Sequence, residues 1–444
     1  MIKYIIFLSA FFSYASASIQ NVSTLNNCVT AYEHADYKGF AWNFCPDEEA
    51  NSRGWQNKIS SIRVSKGYKV TLCRDKDKYG SPEGLCREYT DNTNWIGERV
   101  NDQYSYIKVK PVDKDSFDFI IASDTQYQYC VSSLCKNRPG NSYIANEWHS
   151  NSMKELAKDI GDKYFSGIIV NGDLTNTMDR KDIIQFEKDY SGIPVYPGLG
   201  NHDYQNYIDD KWCDGWYIEA GGYRAWAQNL CAARLVEWFV GRVKTIPASK
   251  NDIKVSGHRG KDISGSLAYS FDKYDWHFVQ LNNKPGYTKR FTSYDSWIVR
   301  QRNIDIKDSY LWLKNDLNKN KNKNTVLNYH IFNNDNDNDN DNDNDNEMGT
   351  ILDDNPQVVA IFAGHYHNMI GSGYLNNGNY YNYHNSRYYI RTPKGRIIPV
   401  FYSGSAENNI YLHATFKPKS LTVKPVSSVN GNYKYIGKEN IINF

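Results

Sequence analysis

The chain has 444 residues, more than one hydrophobic core usually serves, and so points to two domains. Its 52 basic and 50 acidic residues leave a net charge of +2, which removes any electrostatic case for nucleic-acid binding. Aromatics at 15%, with 36 tyrosines, suit β-rich structure with Tyr-lined surfaces.

In chain order, residues 1–17 read as a secretory signal. Lys3 supplies the positive charge, Tyr4 to Tyr14 is an apolar run too short to span a bilayer, and Ala15-Ser16-Ala17 is a small-x-small cleavage site. No later segment is long and apolar enough to cross a membrane, so an exported, soluble protein is expected. The eight cysteines fall in sequence-local pairs, Cys28 with Cys45, Cys73 with Cys86, Cys130 with Cys135 and Cys213 with Cys231. No Cys-x-x-Cys spacing occurs, which favours disulfides over zinc and leaves their connectivity open. Asn21-Val22-Ser23 is a glycosylation sequon.

Residues 25–112 form one compositional unit. Ser61 to Val64, Tyr68 to Leu72 and Tyr106 to Val109 are short alternating runs between Gly, Asp and Asn turns, the pattern of a small antiparallel β-sandwich. In Tyr32-Glu33-His34-Ala35-Asp36-Tyr37-Lys38-Gly39 two aromatics bracket a turn, and Gly39 can supply the positive φ of a folded hairpin. These residues resemble a βγ-crystallin Greek key. A second corner, Leu72 through Tyr79 and Gly80, is degenerate. The resemblance implies a two-Greek-key domain and raises Ca²⁺ as a ligand. The two stretches that would bind it depart from the family's pattern: Gln56-Asn57-Lys58-Ile59-Ser60-Ser61 at its first position and Asn101-Asp102-Gln103-Tyr104-Ser105-Tyr106 at its last. Hard cations need several well-placed oxygens, so both departures weigh against the site.

Val112 to Ser116 is a polar connector, after which residues 116–430 change pattern. Apolar strands ending in polar tips alternate with helical stretches. Phe117 to Ala122 leads to Asp124 and Gln126, and Gly167 to Val170 leads to Asp173. Ile193 to Tyr196 leads to Pro197-Gly198-Leu199-Gly200-Asn201-His202-Asp203. Helices are expected over Asn146 to Lys163, Lys181 to Tyr190, Tyr223 to Lys244 and Ser309 to Lys319. Tyr204 to Ser264 is an irregular insertion carrying Trp212, Trp216, Tyr217 and Trp226, residues that either line a pocket or form core. Ala268 to Phe271 and Trp276 to Leu281 form a hairpin, and Val326 to Tyr329 is a strand ending in His330. Within residues 333–347, the strict Asn/Asp alternation from Asn334 to Asn346 cannot bury a core and is expected to be a disordered loop. Val358 to Phe362 is the last buried strand and delivers His365 and His367, and strands of a closing sheet follow. The pattern indicates an α/β layer with its site at the C-terminal strand ends.

Five strand ends thus present ligand-type residues in order, and together they resemble the calcineurin-like metallophosphoesterase superfamily, with a core like that of the purple acid phosphatases. The resemblance implies an α/β fold, a two-layer β-sandwich flanked by helices, here preceded by the small all-β Greek-key sandwich. It also implies a hydrolase with two divalent ions, Mn, Fe or Zn. By position, Asp124, Asp173 and His367 would hold one ion and Asp173, Asn201, His330 and His365 the other, with Asp173 bridging. His202 would be the acid or transition-state stabiliser. Asp203 either orients His202 or caps the turn. Gln126 stands where the family usually has His, a weaker donor that can shift the first ion's preference toward harder metals. Two such ions generate a bridging hydroxide nucleophile and neutralise a phosphoryl oxygen.

The expected function is therefore a secreted phosphoesterase, with phosphomonoesters favoured. The alternatives are a phosphodiesterase, or a decayed hydrolase acting as a binding module through the crystallin-like domain; an inhibitor-like module is weaker still. His202, which the resemblance gives no metal to bind, favours an enzyme. His34, His149, His258, His277, His384 and His413 lie outside the motifs and are expected to be structural or surface residues, with His258 and His277 as candidate pocket residues.

Overall fold

The computed structural model describes residues 28–45, 54–65, 68–76, 82–97, 101–111, 116–127, 141–209, 229–257, 262–294, 301–332, 342–376, 379–382 and 388–444. The segment read as a secretory signal, the Asn21 sequon, Tyr79, Gly80, Cys130, Cys135, Cys213, His258, His384 and the insertion's Trp212, Trp216, Tyr217 and Trp226 lie outside them. The chain divides into two compact units, residues 1–114 and 115–444.

The first unit is built from two three-stranded antiparallel sheets. Val29–His34 lies between Lys38–Phe44 and Ser61–Val64 in one sheet. Tyr68–Lys76 lies between Pro82–Tyr89 and Tyr106–Pro111 in the other. Alternate residues of both sheets bury a common core, including Val29, Ala31 and Ile62 from the first and Val70, Leu72, Ile107 and Val109 from the second. The Tyr32 to Gly39 hairpin turns through left-handed backbone at Asp36, Tyr37 and Gly39. At Gly39 (φ +82°) a Cβ would also come within 2.8 Å of the His34 ring, so glycine is required twice over. Disulfides Cys28–Cys45 and Cys73–Cys86 staple strand neighbours in each sheet. Cys231, in the second unit, is also disulfide-bonded.

The second unit stacks helix, sheet, sheet and helix. One sheet has a parallel centre, Phe117–Ala122, Phe165–Val170 and Val195–Pro197, extended antiparallel by Ile410–Lys417 and Ser420–Ser427. The other has parallel Trp276–Gln280, Asn324–Tyr329, Val358–Ala363 and Ile397–Ser403 at its centre. Strands Lys434–Tyr435 and Asn440–Asn443 pair with Ser420–Ser427, so the unit continues past residue 430.

The near-continuous apolar runs are explained by burial on both faces. Phe278, Val326, Ala360, Phe362 and Phe401 point into the core shared with the first sheet, where Phe119, Phe278 and Phe416 pack with ring centroids 4.9–6.0 Å apart. Their neighbours Val279, Leu327, Ile361, Val400 and Tyr402 point the other way. There they meet Leu313 and Leu317 of helix Tyr310–Lys319 and Met348, Ile351 and Leu352 of helix Asn342–Asp354. Helices Asn141–Ile160, Arg180–Asp189 and Leu230–Thr245 bring Met153, Leu156, Ile183, Phe186, Leu235, Val236 and Phe239 to the first sheet's side.

Two expectations are corrected here. The Asn/Asp run is not wholly a loop: helix Asn342–Asp354 begins inside it, because the buried Met348, Ile351 and Leu352 anchor a helix that extends back into the repeat. His277 is not a pocket residue. It is buried between Asp272 and Asp316, with each ring nitrogen 2.8 Å from a carboxylate oxygen, and ties its strand to helix Tyr310–Lys319. His149 and His413 are likewise structural, bonded to Ser428 and to Asp118 and Tyr435.

Candidate metal centre

The parallel strands of both sheets end at one edge, and their C-terminal loops converge there. Asp124 and Gln126 follow Phe117–Ala122, Asp173 follows Phe165–Val170, and Asn201 and His202 open a 3₁₀ turn after Val195–Pro197. His330 follows Asn324–Tyr329, and His365 and His367 follow Val358–Ala363. Asp124 (φ 51°), Gln126 (φ 29°), Asp173 (φ 52°) and His365 (φ 71°) all hold left-handed backbone, a conformation costing about 1–3 kcal/mol for a residue with a side chain. The surroundings enforce it through Asp124 N–H to Gly172 O (3.0 Å) and Gln126 N–H to Asp173 O (3.0 Å). Gly200 and Gly364 make room: a Cβ at Gly200 would strike the Asp173 carboxylate, and one at Gly364 would strike Ser123 and His330.

Asp173 sits at the centre. Its Oδ1 accepts from the His202 backbone N–H (2.9 Å) and its Oδ2 from Gln126 Nε2 (2.9 Å). His330 Nε2 is 3.1 Å from Asp173 Oδ2, and Asp173, His330 and His365 offer ligand atoms within 4.8 Å of one another. Beside them, Asp124 Oδ2 accepts from the His365 backbone N–H (2.9 Å), and Asp124 Oδ1 is 3.2 Å from His367 Nε2. The structure thus brings Asp124, Gln126, Asp173, His330, His365 and His367 into one cluster, with Asn201 in the adjoining turn.

Electrostatics couple the cluster. Burial raises the Asp124 carboxyl, but His330 and His367 outweigh it and hold it at about 2. Burial lowers the His330 imidazole, but Asp173 and Asp124 lift it to about 9. Burial likewise opposes the charge on His367, and Asp124 and Glu407 raise it to about 10. His365 is lowered, by burial first and then by His330.

The donor set fits divalent cations. Asp124 Oδ1, Gln126 Oε1, Asn201 Oδ1 and His330 Nε2 are buried and make no well-directed hydrogen bond. Orphaned polar atoms of this kind cost about 1–3 kcal/mol each unless something satisfies them. All four belong to the predicted ligand set, and oxygen with imidazole nitrogen suits Mn, Fe or Zn. The Gln126 amide donates its N–H₂ to Asp173, while its carbonyl oxygen is buried without a hydrogen-bond partner.

Asp203 does not orient His202. It is fully buried, and its carboxylate accepts from Gly200 N–H (2.9 Å), Leu174 N–H (3.1 Å) and Thr175 N–H (3.1 Å). It pins the Asp173 loop to the His202 loop, the turn-capping alternative. Burial and then Asp173 raise it to about 7, against those three donors. His202 is instead held through Nδ1, 3.1 Å from the Asn176 carbonyl. Two further residues escaped sequence reasoning: Asn171, whose carbonyl meets His330 Nδ1 at 2.7 Å, and Glu407, whose Oε1 meets His367 Nδ1 at 2.7 Å. Asn171 stands between a buried strand and Gly172-Asp173, a visible signal. Glu407 stands in a turn with no motif around it.

A two-sheet sandwich thus gathers acidic, amide and imidazole side chains at its strand ends. Residues 117–369 match the calcineurin-like phosphoesterase family model, and the chain belongs to that family. The N-terminal region is similar to solved βγ-crystallin domains. One from Clostridium beijerinckii is 24% identical over 18% of this chain and 95% of that one, with a TM-score of 0.17. One from Flavobacterium johnsoniae is 23% identical over 19% and 93%, also at 0.17. The N-terminal domain of Protein S is 23% identical over 19% and 97%, at 0.17. No curated protein matches the chain.

Proposed function

We propose that this phosphoesterase is exported and hydrolyses phosphomonoesters with two divalent cations. The observation that carries the reading is Asp173. Its Oδ1 accepts from the His202 backbone N–H, its Oδ2 meets Gln126 Nε2 and His330 Nε2, and a carboxylate with about four lone-pair sites keeps capacity to bridge two cations, one held with Asp124, Gln126 and His367 and the other with Asn201, His330 and His365 in this reading. When bound, the ions supply Lewis acidity toward a phosphoryl oxygen and lower the pKa of water.

The chain's own residues do the rest. Asn171 turns His330 so that Nε2 faces Asp173, where it would hold a cation. His202, oriented by its Nδ1 contact with the Asn176 carbonyl, would carry a proton to the departing alkoxide, and its backbone N–H fixes Asp173 in the same turn. The oxygen-rich set around Asp124 and Gln126 favours a harder ion there than the two imidazoles favour at the second position. Export accounts for the disulfides, and among the described residues no helix is long and apolar enough to cross a membrane.

A Ca²⁺ site in the N-terminal unit is supported by two observations. The two stretches with family-like spacing lie together, joined by Asn57 N–H to Tyr104 O (2.9 Å) and Asp102 N–H to Ile59 O (3.3 Å), and Asn101 Oδ1 and Gln103 Oε1 are buried without partners.

The test is turnover of p-nitrophenyl phosphate against bis-p-nitrophenyl phosphate, after chelation and after re-addition of Mn²⁺ or Zn²⁺. Monoester turnover that chelation abolishes and metal restores is expected. Preference for the diester would sink the monoester assignment, and turnover indifferent to chelation would sink the metal reading.

A further inference from the structure

We propose that Glu407 is a positioning residue for the first cation, fixing His367 and offsetting the weak amide donor at Gln126. The inference rests on the two-cation reading above. His367 is held at Nδ1, which lies 2.7 Å from Glu407 Oε1, and its Nε2 faces Asp124 Oδ1 at 3.2 Å. Glu407 is 7% exposed, in the turn between strands Ile397–Ser403 and Ile410–Lys417. The same turn grips the backbone of both first-cation residues. Ser405 Oγ (2.9 Å) and Asn408 Nδ2 (3.0 Å) donate to the His367 carbonyl, and the Ala406 N–H donates to the Asp124 carbonyl (3.2 Å). Glu407 is thus a built part of the first-cation half of the site.

The two halves are supported differently. His330 turns its Nδ1 to a neutral backbone carbonyl, that of Asn171. His367 turns its Nδ1 to a carboxylate. A carboxylate behind a ligating imidazole fixes its tautomer and makes the opposite nitrogen a stronger donor. That stronger donor stands in the half where a neutral amide, Gln126, replaces the usual imidazole. A weak ligand and a reinforced one therefore share one cation, and their effects on its affinity are coupled.

The test is calorimetric titration of the metal-free full chain with Mn²⁺, using Asp124→Asn and His365→Ala to mark the first and second binding events. Glu407→Ala should weaken the first event roughly 10- to 100-fold and leave the second unchanged. Glu407→Gln keeps an acceptor for Nδ1–H but loses the charge, and should fall between Glu407→Ala and the parent. Gln126→His in the Glu407→Ala background should recover the lost affinity. Parent-like Mn²⁺ binding by both Glu407 variants would overturn the proposal. So would equal weakening of both events with a lower metal-free melting temperature, the mark of a merely structural role. A parent chain that takes up no Mn²⁺ or Zn²⁺ would remove the two-cation reading itself, a result distinct from either.

Discussion

Asp203 separates a scaffold role from a catalytic one. Its Oδ2 accepts from both Leu174 and Gly200, and its Oδ1 accepts from Thr175. Asp203→Ala orphans three buried N–H groups, each worth about 1–3 kcal/mol, for a total of roughly 4 kcal/mol once the loops relax. Asp203→Asn with its oxygen at the Oδ2 position keeps two of these bonds and sets an amide N–H₂ against the Thr175 N–H, a loss of about 2 kcal/mol. Charge removal adds little, because burial and Asp173 already push this carboxyl up to about 7. At about 2 °C per kcal/mol for a large domain, the catalytic unit should melt about 8 °C lower in the alanine variant and about 4 °C lower in the asparagine variant. The assay is calorimetric melting paired with p-nitrophenyl phosphate turnover measured well below both transitions. Turnover should stay within about tenfold of the parent for Asp203→Asn, since His202 is held by Asn176 and not by this carboxylate. Two variants that melt with the parent yet lose turnover a hundredfold would refute the reasoning and return Asp203 to the chemistry.

Three further outcomes are expected. His202→Ala should lower kcat roughly 10²- to 10⁴-fold with the Mn²⁺ stoichiometry intact, and a lost cation would show that its backbone turn had collapsed instead. Millimolar Ca²⁺ should raise the N-terminal unit's melting temperature, read through the buried Trp55 that packs on Phe44, and Asp102→Ala should remove the shift; an unchanged melt in Ca²⁺ would exclude the site. Burial raises the Asp272 carboxyl, but Lys323 and His277 outweigh it and hold it below the usual carboxylate range. A carboxyl depressed in the fold contributes stability above its unfolded pKa and loses it as pH falls through the folded value. Acidification from about pH 5 to about pH 3 should therefore cost the parent more unfolding free energy than Asp272→Asn, by under about 1 kcal/mol for so exposed a pair, read by denaturant melts at each pH. Equal losses would refute the link.

What the sequence disclosed followed from local physics. Strands such as Phe117–Ala122 and Val358–Ala363 are buried on both faces, so apolar runs marked them, and the polar residues at their tips had no structural reason to be there. Those tips converge because parallel strands end at one edge, which is why residues far apart in the chain were readable as one cluster. The parts that were not legible depend on contacts between loops. Asp203 stands beside His202 in sequence, yet a 3₁₀ turn sends its carboxylate toward the backbone of Leu174 and Thr175. Helix Asn342–Asp354 starts in a repeat with no apolar period, and only packing against the outer face of the sheet calls for it. Glu407 is the clearest instance. Nothing in Ser405-Ala406-Glu407-Asn408 signals a ligand site, because the turn's role is set by where His367, brought from 40 residues away, places its Nδ1. Strand-end residues announce themselves through the strand before them, whereas a residue that acts through another becomes readable only once the fold has placed its partner.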